Sequence, residues 1–173
     1  MSFIKTIVGP MGSGKTAELI SSLIYDSDNV LAIKPDIDTR NGKFIKSRNG
    51  KMIEAISIVS PLEIPGLIED YIEQIVIDEI HMLDESLYYV LLGIKNKAIL
   101  CAGLNKGIND IPFNTTAKVM AISNEIIVLD GVCEICASRA RHTRVRPGTT
   151  RKTNIGGSDI YQVVCEACIG KEK

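Results

Sequence analysis

A short glycine-rich segment near the start of the chain has the residues and spacing needed to hold the phosphates of a nucleotide. The segment is Gly9-Pro10-Met11-Gly12-Ser13-Gly14-Lys15-Thr16, which matches the pattern G-x-x-x-x-G-K-[ST] in full. Glycines let backbone amides wrap closely around phosphate oxygens, and a following helix adds its positive N-terminal end. Lys15 can reach the β- and γ-phosphates, and the Thr16 hydroxyl can bind Mg²⁺. The segment therefore predicts a site for ATP and Mg²⁺.

Two adjacent carboxylates, Asp78 and Glu79, follow the apolar segment Ile75-Val76-Ile77. In phosphate-loop proteins, an aspartate at this place holds the Mg²⁺ shell, and a neighbouring acid can orient or deprotonate the nucleophile. Adjacent side chains of an extended strand point in opposite directions, so the two acids need not share a role. We expect both carboxylates to belong to the phosphate-transfer site.

The string Asp-Glu-Ile-His, which ends at His81, also occurs in some helicase-type ATPases. A nucleic-acid-dependent motor is therefore the alternative class of function. Such motors generally need two domains of this kind and a basic channel for the strand. The chain has 173 residues, which is too short for two such domains, and its formal net charge of -1 does not favour a basic channel. We favour an enzyme that acts on a small molecule, with neither a nucleic acid nor a membrane as a partner.

Four of the five cysteines form two Cys-x-x-Cys pairs, Cys133 with Cys136 and Cys165 with Cys168. In a reducing compartment, such pairs indicate a metal more than disulfides. Four thiolates favour a closed structural Zn²⁺ site, because a catalytic zinc keeps one position open. An iron–sulfur cluster is the main alternative. The fifth cysteine, Cys101, lies in an apolar stretch and is predicted to be a buried structural thiol.

The apolar patterns along the chain predict alternating strands and helices, which position these motifs. Predicted strands cover Phe3 to Val8, Asn29 to Ile33, Met52 to Val59, Gln74 to Ile77 and Ala98 to Ala102. Predicted helices cover Lys15 to Tyr25, Ile64 to Ile72 and Asp84 to Ile94. This alternation favours an α/β fold with a parallel sheet covered on both faces, in which ligands bind beyond the carboxyl ends of the strands. The motifs at Gly9 and Asp78 both follow strands, so they are expected at the same edge.

The composition changes near Gly131, where we place a module boundary. Residues 1–130 are predicted to form the phosphate-loop core, and residues 131–173 carry both cysteine pairs, a basic stretch and a Pro-Gly-Thr-Thr loop. The first residues lack a signal-peptide pattern, and no apolar run approaches the roughly 18 residues of a membrane-spanning helix. We expect a cytoplasmic protein.

With these motifs in place, the sequence resembles the type II thymidine kinase family over almost its whole length. The resemblance is carried by the phosphate loop, Lys34-Pro35, Asp38-Thr39-Arg40, Ile77-Asp78-Glu79, Gly103-Leu104, Pro112-Phe113, Val132-Cys133-x-x-Cys136, Thr143, Ile155-Gly156-Gly157-x-Asp159-x-Tyr161 and Cys165-x-x-Cys168. It implies an ATP-dependent transfer of phosphate to thymidine, giving thymidine monophosphate. It also implies a homotetramer and a zinc-held module whose lasso loop covers the substrate.

The same resemblance implies a role for each matching residue. Glu79 would be the general base that takes the proton of the nucleoside 5′-hydroxyl, and Asp78 would belong to the Mg²⁺ shell. Asp38 and Arg40 would lie near the nucleotide phosphates. The residues implied to contact the nucleoside are Met11, Phe113, Thr143, Tyr161 and the lasso residues Lys152, Thr153, Asn154, Ile155 and Gly156. The lasso would contact the base largely through backbone groups.

The sequence departs from the family's usual residue types at several positions around the expected base pocket. The family usually has Gln at His81, aromatic residues at Met82, Leu83 and His142, Asp at Asn105, Phe at Ile108 and Arg at Glu166. These departures leave the phosphate chemistry untouched. They make a related pyrimidine or another deoxynucleoside the alternative substrate.

Overall fold

The strands and helices were assigned in a computed structural model that describes residues 2–24, 27–108, 110–149 and 160–170. The strands are β1 (Phe3–Val8), β2 (Val30–Pro35), β3 (Phe44–Lys46), β4 (Met52–Glu54), β5 (Ile56–Ile58), β6 (Gln74–Ile77), β7 (Ala98–Gly103), β8 (Glu125–Val128), β9 (Gly131–Val132), β10 (Arg139–Ala140), β11 (His142–Val145) and β12 (Tyr161–Val164). The α-helices are α1 (Lys15–Ser21), α2 (Ile64–Leu67), α3 (Ser86–Gly93) and α4 (Asn114–Ala121).

Six strands form a central sheet in the order β5-β2-β6-β7-β1-β8, and the neighbouring strands are parallel. β1 and β6 lie on either side of β7, with Val8 opposite Gly103 and Ile77 opposite Cys101. Because the strands are parallel, their carboxyl ends meet at one edge, which carries the glycine-rich loop after β1 and Asp78 after β6. The predicted α/β fold with a parallel sheet is confirmed.

Two apolar clusters cover the two faces of the sheet. On β6, Ile75 and Ile77 belong to one cluster and Val76 to the other, because neighbouring strand residues alternate between faces. The first cluster includes apolar residues of α2, α3 and α4. The second includes Leu19 of α1 and Ile45 of β3. Each fully buried Ile or Leu stabilises the fold by about 1.5–3 kcal/mol, so both faces contribute to holding the loop-bearing edge in place.

The segment from Met52 to Val59 was predicted as one strand, and this prediction is wrong. β4 pairs with β3 in an antiparallel hairpin, whereas β5 pairs with β2 in the central sheet. Ala55 lies between them, and its amide donates a hydrogen bond to the carbonyl of Lys43 over 2.7 Å. The chain therefore passes from the hairpin to the central sheet at Ala55, a change that the mostly apolar sequence of this segment does not reveal.

The three predicted helices are shorter than their patterns indicated, α3 by only one or two residues at each end. α1 ends at Ser21, and Tyr25, its predicted end, lies outside the described residues. α2 ends at Leu67 because Ile68 is extended, with φ -84° and ψ 102°. Gly66 weakens a helix interior and favours this early end.

Two small antiparallel pairs, β9 with β10 and β11 with β12, form the cysteine-bearing part of the chain. Val163, Val164 and the buried cysteines build a separate core, against which Met11 of the glycine-rich loop packs. This contact joins the part to the phosphate loop. The boundary between residues 1–130 and 131–173 stays a prediction.

Cys101 is fully buried in the sheet, and burial raises its pKa to about 12. It therefore stays a protonated thiol at neutral pH, as expected of a structural cysteine. Among the described residues, each helix is too short or too polar to cross a membrane.

Candidate active site

The glycine-rich loop between β1 and α1 needs glycine at both of its ends. A Cβ on Gly9 would lie 2.4 Å from the carbonyl oxygen of Leu129. Gly14 precedes α1 with φ 91°, a left-handed conformation that favours glycine. At Gly9 and Gly14, therefore, the backbone of the loop has no side chain of its own to cover it.

Lys15 is the first residue of α1 and is buried. Its Nζ donates a hydrogen bond to the carbonyl of Pro10 over 2.8 Å, so the side chain folds back across the loop. Burial is the largest influence on this amine and lowers its pKa, against the opposing effects of Glu79 and Asp78. A charged phosphate beside Lys15 would favour its protonated form.

Thr16 and Asp78 bring a hydroxyl and a carboxylate together across the sheet edge. Thr16 Oγ1 donates to Asp78 Oδ2 over 2.9 Å, and Asp78 is buried. Burial, and then the neighbouring charge of Glu79, raise the pKa of Asp78, while the Thr16 hydrogen bond opposes them. Mg²⁺ takes oxygen ligands, and a cation here would favour the ionised carboxylate. The residues fit the predicted Mg²⁺ site.

Glu79 lies beside Asp78 in a conformation that few glutamates adopt, with φ 53° and ψ 38°. A positive φ at a residue other than glycine is uncommon and frequently found at functional sites. This backbone turn separates the two side chains, so that Asp78 meets Thr16 and Glu79 meets Arg40. The two acids thus have different partners, but the cause is the left-handed turn at Glu79 and not the alternation of an extended strand, because β6 ends at Ile77.

Arg40 connects the carboxylates of Asp38 and Glu79. Its Nε donates to Asp38 Oδ1 over 2.6 Å, and its Nη2 donates to Glu79 Oε1. Burial alone would raise the pKa of Asp38, but the hydrogen bond and charge of Arg40 outweigh it and hold the pKa below its usual value. The buried Lys34 of β2 supports this loop, because its Nζ donates to the carbonyl of Asp38 over 2.7 Å.

One cavity of about 720 Å³ joins these groups to apolar walls. Most of the predicted site residues line it: Met11, Gly12, Gly14, Lys15, Thr16, Asp38, Arg40, Asp78, Glu79, Phe113, Thr143 and Tyr161. Gly9, Pro10 and Ser13 belong to the same loop but are not among its lining residues. The cavity therefore offers a cationic and acidic end for phosphates, and an apolar end for a flat ring.

Tyr161 and Thr143 come from the cysteine-bearing part of the chain. Both are buried, and the Tyr161 hydroxyl has no hydrogen-bond partner among the described residues. Thr143 forms a β-bridge with Ile108, which docks the loop between β7 and α4 onto β11. This part of the chain therefore supplies one wall of the cavity.

The four cysteines of the two pairs come together as predicted. Their Sγ atoms all lie within 4.8 Å of one another, and those of Cys136 and Cys165 are 3.5 Å apart. Tetrahedral Zn²⁺ with Zn–S bonds of about 2.3 Å fits such a cluster, whereas a disulfide needs an S–S distance of about 2.05 Å. Each pair sits on a tight turn, closed by the hydrogen bonds from the Ala137 amide to Cys133 and from the Cys168 amide to Cys165.

Comparison with known proteins agrees with this geometry. The family model described as "Thymidine kinase" matches residues 2–169. The chain belongs to the thymidine kinase family. A thymidine kinase of Pseudothermotoga lettingae is 33% identical over 172 residues, covering 95% of this chain and 93% of the relative. One of Mesomycoplasma hyopneumoniae is 35% identical over 172 residues, with 95% and 94% covered, and one of Ureaplasma urealyticum is 32% identical over 182 residues, with 95% and 81% covered.

Membership of the thymidine kinase family confirms the resemblance drawn from the motifs, and with it an enzyme of the kinase type. The predicted lasso residues Lys152, Thr153, Asn154, Ile155 and Gly156 lie outside the described residues. Their contacts with a substrate stay a prediction, as do the individual roles of the residues that line the cavity.

The sequence analysis named His81 among the departures around the expected base pocket but gave it no role, and the structure places it among the lining residues of the cavity. Its side chain is 4% exposed, and its ring packs edge-on against Phe113 with centroids 4.9 Å apart. Burial lowers its pKa to about 4, so the ring is neutral at physiological pH. Nδ1 accepts a hydrogen bond from the amide of Leu104 over 3.2 Å. The same atom lies 3.5 Å from Glu79 Oε2, but this is not an ion pair because the ring carries no charge.

Arg48 is a second lining residue that the motifs did not indicate. It lies in the turn between β3 and β4, far along the chain from the glycine-rich loop. No local pattern around it identifies a phosphate contact, and only the folded hairpin brings it to the cavity.

Proposed function

We propose that this protein is an ATP-dependent thymidine kinase, which transfers the γ-phosphate of ATP to the 5′-hydroxyl of thymidine. The observation that carries the proposal is the single cavity that joins Lys15 and Thr16 of the phosphate loop to the carboxylate of Glu79 and to the wall formed by Phe113 and Tyr161. The names of the relatives in the thymidine kinase family support the same reaction.

At the phosphate end, Lys15 exchanges its contact with the Pro10 carbonyl for oxygens of the β- and γ-phosphates. Thr16 and Asp78 would hold Mg²⁺, which would neutralise part of the phosphate charge. Phosphoryl transfer depends mainly on positioning and on electrostatic stabilisation. The buried, fixed positions of Lys15 and Asp78 suit both requirements.

At the acceptor end, Glu79 takes the proton of the 5′-hydroxyl as that oxygen attacks the γ-phosphorus, while the bond from the γ-phosphorus to the β–γ bridging oxygen breaks and ADP leaves. Arg40 donates a hydrogen bond to this carboxylate, which orients it. Asp38 accepts a hydrogen bond from the same guanidinium, so Arg40 fixes the Glu79 carboxylate relative to the loop after β2 that carries Asp38.

At the nucleoside end, Phe113, Tyr161 and Met11 form apolar walls for the base. The lasso from Lys152 to Gly156 supplies backbone donors and acceptors for its edge. The buried Tyr161 hydroxyl lacks a partner among the described residues, and a buried polar group of this kind favours a ligand that pairs with it.

A kinase for another deoxynucleoside is the second candidate. His81, Met82 and Ile108 line the cavity and differ from the residue types usual in the thymidine kinase family. Shape and polarity of the base pocket therefore differ from those of typical members, although the phosphate end does not.

We further propose that the four clustered cysteines hold one structural Zn²⁺ per chain and that the enzyme is a cytoplasmic homotetramer. The sulfur cluster supports the first point through its ligand type and spacing. The resemblance to type II enzymes supports the cytoplasmic location and the homotetramer. Sedimentation analysis of the purified protein tests the oligomeric state.

The function is tested by incubating the purified protein with ATP, Mg²⁺ and single nucleosides, and by identifying monophosphate products by mass spectrometry. We expect thymidine monophosphate from the wild-type protein and a loss of about 100-fold or more in Lys15→Ala, because the charge aimed at the transferred phosphate is removed. Lys95→Ala, which removes an exposed lysine away from the cavity, is the control. ATP hydrolysis that ignores nucleosides but accelerates with single-stranded DNA contradicts the proposal.

A further inference from the structure

The hairpin of β3 and β4 carries an arginine to the edge of the phosphate loop. Ile45 of β3 is 2% exposed and belongs to the core cluster that contains Leu19 of α1. Lys51, at the other end of the turn, donates from Nζ to Ser21 Oγ of α1 over 3.0 Å. The turn between these two attachments holds Arg48. It is closed by hydrogen bonds from the Ser47 amide to the Lys51 carbonyl and from the Gly50 amide to the Ser47 carbonyl.

The guanidinium of Arg48 lies directly beside the backbone of Gly12. A Cβ placed on Gly12 would be 3.2 Å from Nη1 and 3.4 Å from Nη2 of Arg48. Both residues line the same cavity as Lys15. The three atoms closest to such a Cβ all belong to the Arg48 guanidinium, so that group borders the loop at its middle glycine.

Arg48 differs from Arg40 in its partners. Arg40 is held by the carboxylates of Asp38 and Glu79, which compensate its charge. No carboxylate pairs with Arg48 among residues 2–24, 27–108, 110–149 and 160–170. Its charge reaches the site, because Arg48 adds to the effect of burial, the largest cause, in lowering the pKa of Lys15.

The formal charges of the cavity lining favour an anionic ligand. The charged side chains that line the cavity are three carboxylates and five cations: Asp38, Asp78 and Glu79, and Lys15, Arg40, Lys46, Arg48 and Lys106. A triphosphate is strongly anionic, and a planar guanidinium binds phosphate oxygens through two parallel hydrogen bonds.

We propose that Arg48 binds phosphate oxygens of the nucleoside triphosphate from the hairpin side of the loop, as a second cationic contact besides Lys15. The inference rests on the proposed use of ATP in this cavity. The hairpin turn then acts as part of the nucleotide site, and its two attachments to α1 set the distance between Arg48 and the loop.

The proposal is tested with the full-length protein and three variants, Arg48→Ala, Arg48→Lys and Lys43→Ala. Lys43 precedes β3 and does not line this cavity, so its variant controls for the loss of one positive charge from the hairpin. We expect Arg48→Ala to raise the KM for ATP by about tenfold to hundredfold, which is the usual effect of losing hydrogen bonds between charged groups. Arg48→Lys should recover part of this loss because it keeps the charge but not the paired geometry.

Calorimetric titration with a non-hydrolysable ATP analogue and Mg²⁺, without a nucleoside, provides the second measurement. The dissociation constant should rise in Arg48→Ala and stay unchanged in Lys43→Ala, while the KM for the nucleoside changes by less than about twofold since Arg48 lies at the phosphate end. An unchanged ATP affinity in a folded Arg48→Ala protein, or an equal loss in Lys43→Ala, overturns the proposal. Wild-type protein that makes no nucleoside monophosphate but binds the analogue through Arg48 rejects the kinase reaction and supports the phosphate contact.

Discussion

His142 Nε2 lies 2.7 Å from Oε2 of Glu166, which stands between the two cysteines of the second pair. On the other side of the ring, Nδ1 lies 2.9 Å from Oδ2 of Asp110. Asp110 belongs to the loop that also carries Ile108 and Phe113. His142 therefore joins the cysteine cluster to the loop that lines the nucleoside end of the cavity.

The contact between His142 and Glu166 joins two positions at which this chain departs from its family. We expect His142→Phe and Glu166→Gln to be non-additive in a double-mutant cycle of unfolding free energy. The coupling should be about 0.2–1 kcal/mol, the range for exposed pairs, because the Glu166 side chain is 86% exposed. Urea unfolding of the four proteins measures it. Additive effects mean that the two positions changed independently, and a coupling that survives 1 M salt is not ionic.

The acids after β6 should separate in kinetics because they have different partners. Glu79→Gln is near-isosteric but cannot accept a proton, so kcat should fall by about 10²–10⁴-fold with little change in ATP affinity. Asp78→Asn should instead raise the Mg²⁺ concentration needed for half-maximal rate, because Asp78 pairs with Thr16. A Mg²⁺ titration of each variant distinguishes these outcomes. Wild-type kcat in Glu79→Gln places the general base elsewhere.

His81 predicts a pH dependence of stability. Burial lowers its pKa to about 4 in the folded protein, against about 6.5 in an unfolded chain. The unfolded state therefore binds more protons between these values, and stability falls as the pH drops from about 6.5 to 4. The loss should reach about 3 kcal/mol at the acid end, and it should be absent above pH 7.

The matched variant for this effect is His81→Gln, whose side-chain oxygen can accept the Leu104 amide hydrogen bond without titrating. The difference in unfolding free energy between wild type and variant should grow towards acid pH. Taking this difference cancels the contributions of the carboxylates, which titrate in both proteins. A difference that is constant from pH 8 to pH 4.5 means that His81 is solvated or that its pKa is unperturbed.

The cysteine cluster predicts one Zn²⁺ per chain. Removing the metal should weaken nucleoside binding before ATP binding, because Tyr161 and Thr143 come from strands adjoining the cluster, whereas Lys15 and Thr16 lie in the core. Binding of a structural metal contributes directly to folding free energy, so the melting temperature should also fall. Elemental analysis and separate KM values before and after chelation measure these effects. Iron in the protein, or full activity without metal, rejects the zinc site.

The sequence was most informative where function lies in contiguous residues. The segment from Gly9 to Thr16 is a local motif, and the strand before Asp78 is a short apolar run. The local sequence was therefore enough to predict the loop, the acidic pair and their place at the same edge of the sheet. Arg48 and His81 could not be assigned in this way. Arg48 meets Gly12 only after β3 and β4 fold onto α1, and the burial of His81 depends on the distant Leu104 and Phe113.

The errors in the fold have a similar physical origin. The segment from Met52 to Val59 is mostly apolar, and its pattern does not reveal that the Ala55 amide bonds to the Lys43 carbonyl and that the chain passes into another sheet there. The hairpin that carries Arg48 was missed for this reason. Long-range pairing decided these cases, whereas local propensity decided the phosphate loop.

Base selection should be less strict for the 5-position of the pyrimidine than in members with aromatic pockets. Ile108 and Met82 line the cavity where the family usually has aromatic residues, and flexible Met packs with less shape selectivity. One methyl group in an apolar pocket gives only about 1–3 kcal/mol of discrimination, so deoxyuridine and 5-substituted deoxyuridines should be good substrates.

Deoxycytidine presents a different hydrogen-bonding edge, and each buried group left unpaired costs about 1–3 kcal/mol. It should therefore be a poor substrate. Values of kcat/KM for thymidine, deoxyuridine, deoxycytidine and deoxyguanosine decide the matter, with Ile108→Phe as the variant that restores an aromatic wall and should lower the rate for bulky 5-substituents. A preference for deoxycytidine or deoxyguanosine over thymidine overturns the inferred pocket and leaves the phosphate chemistry intact.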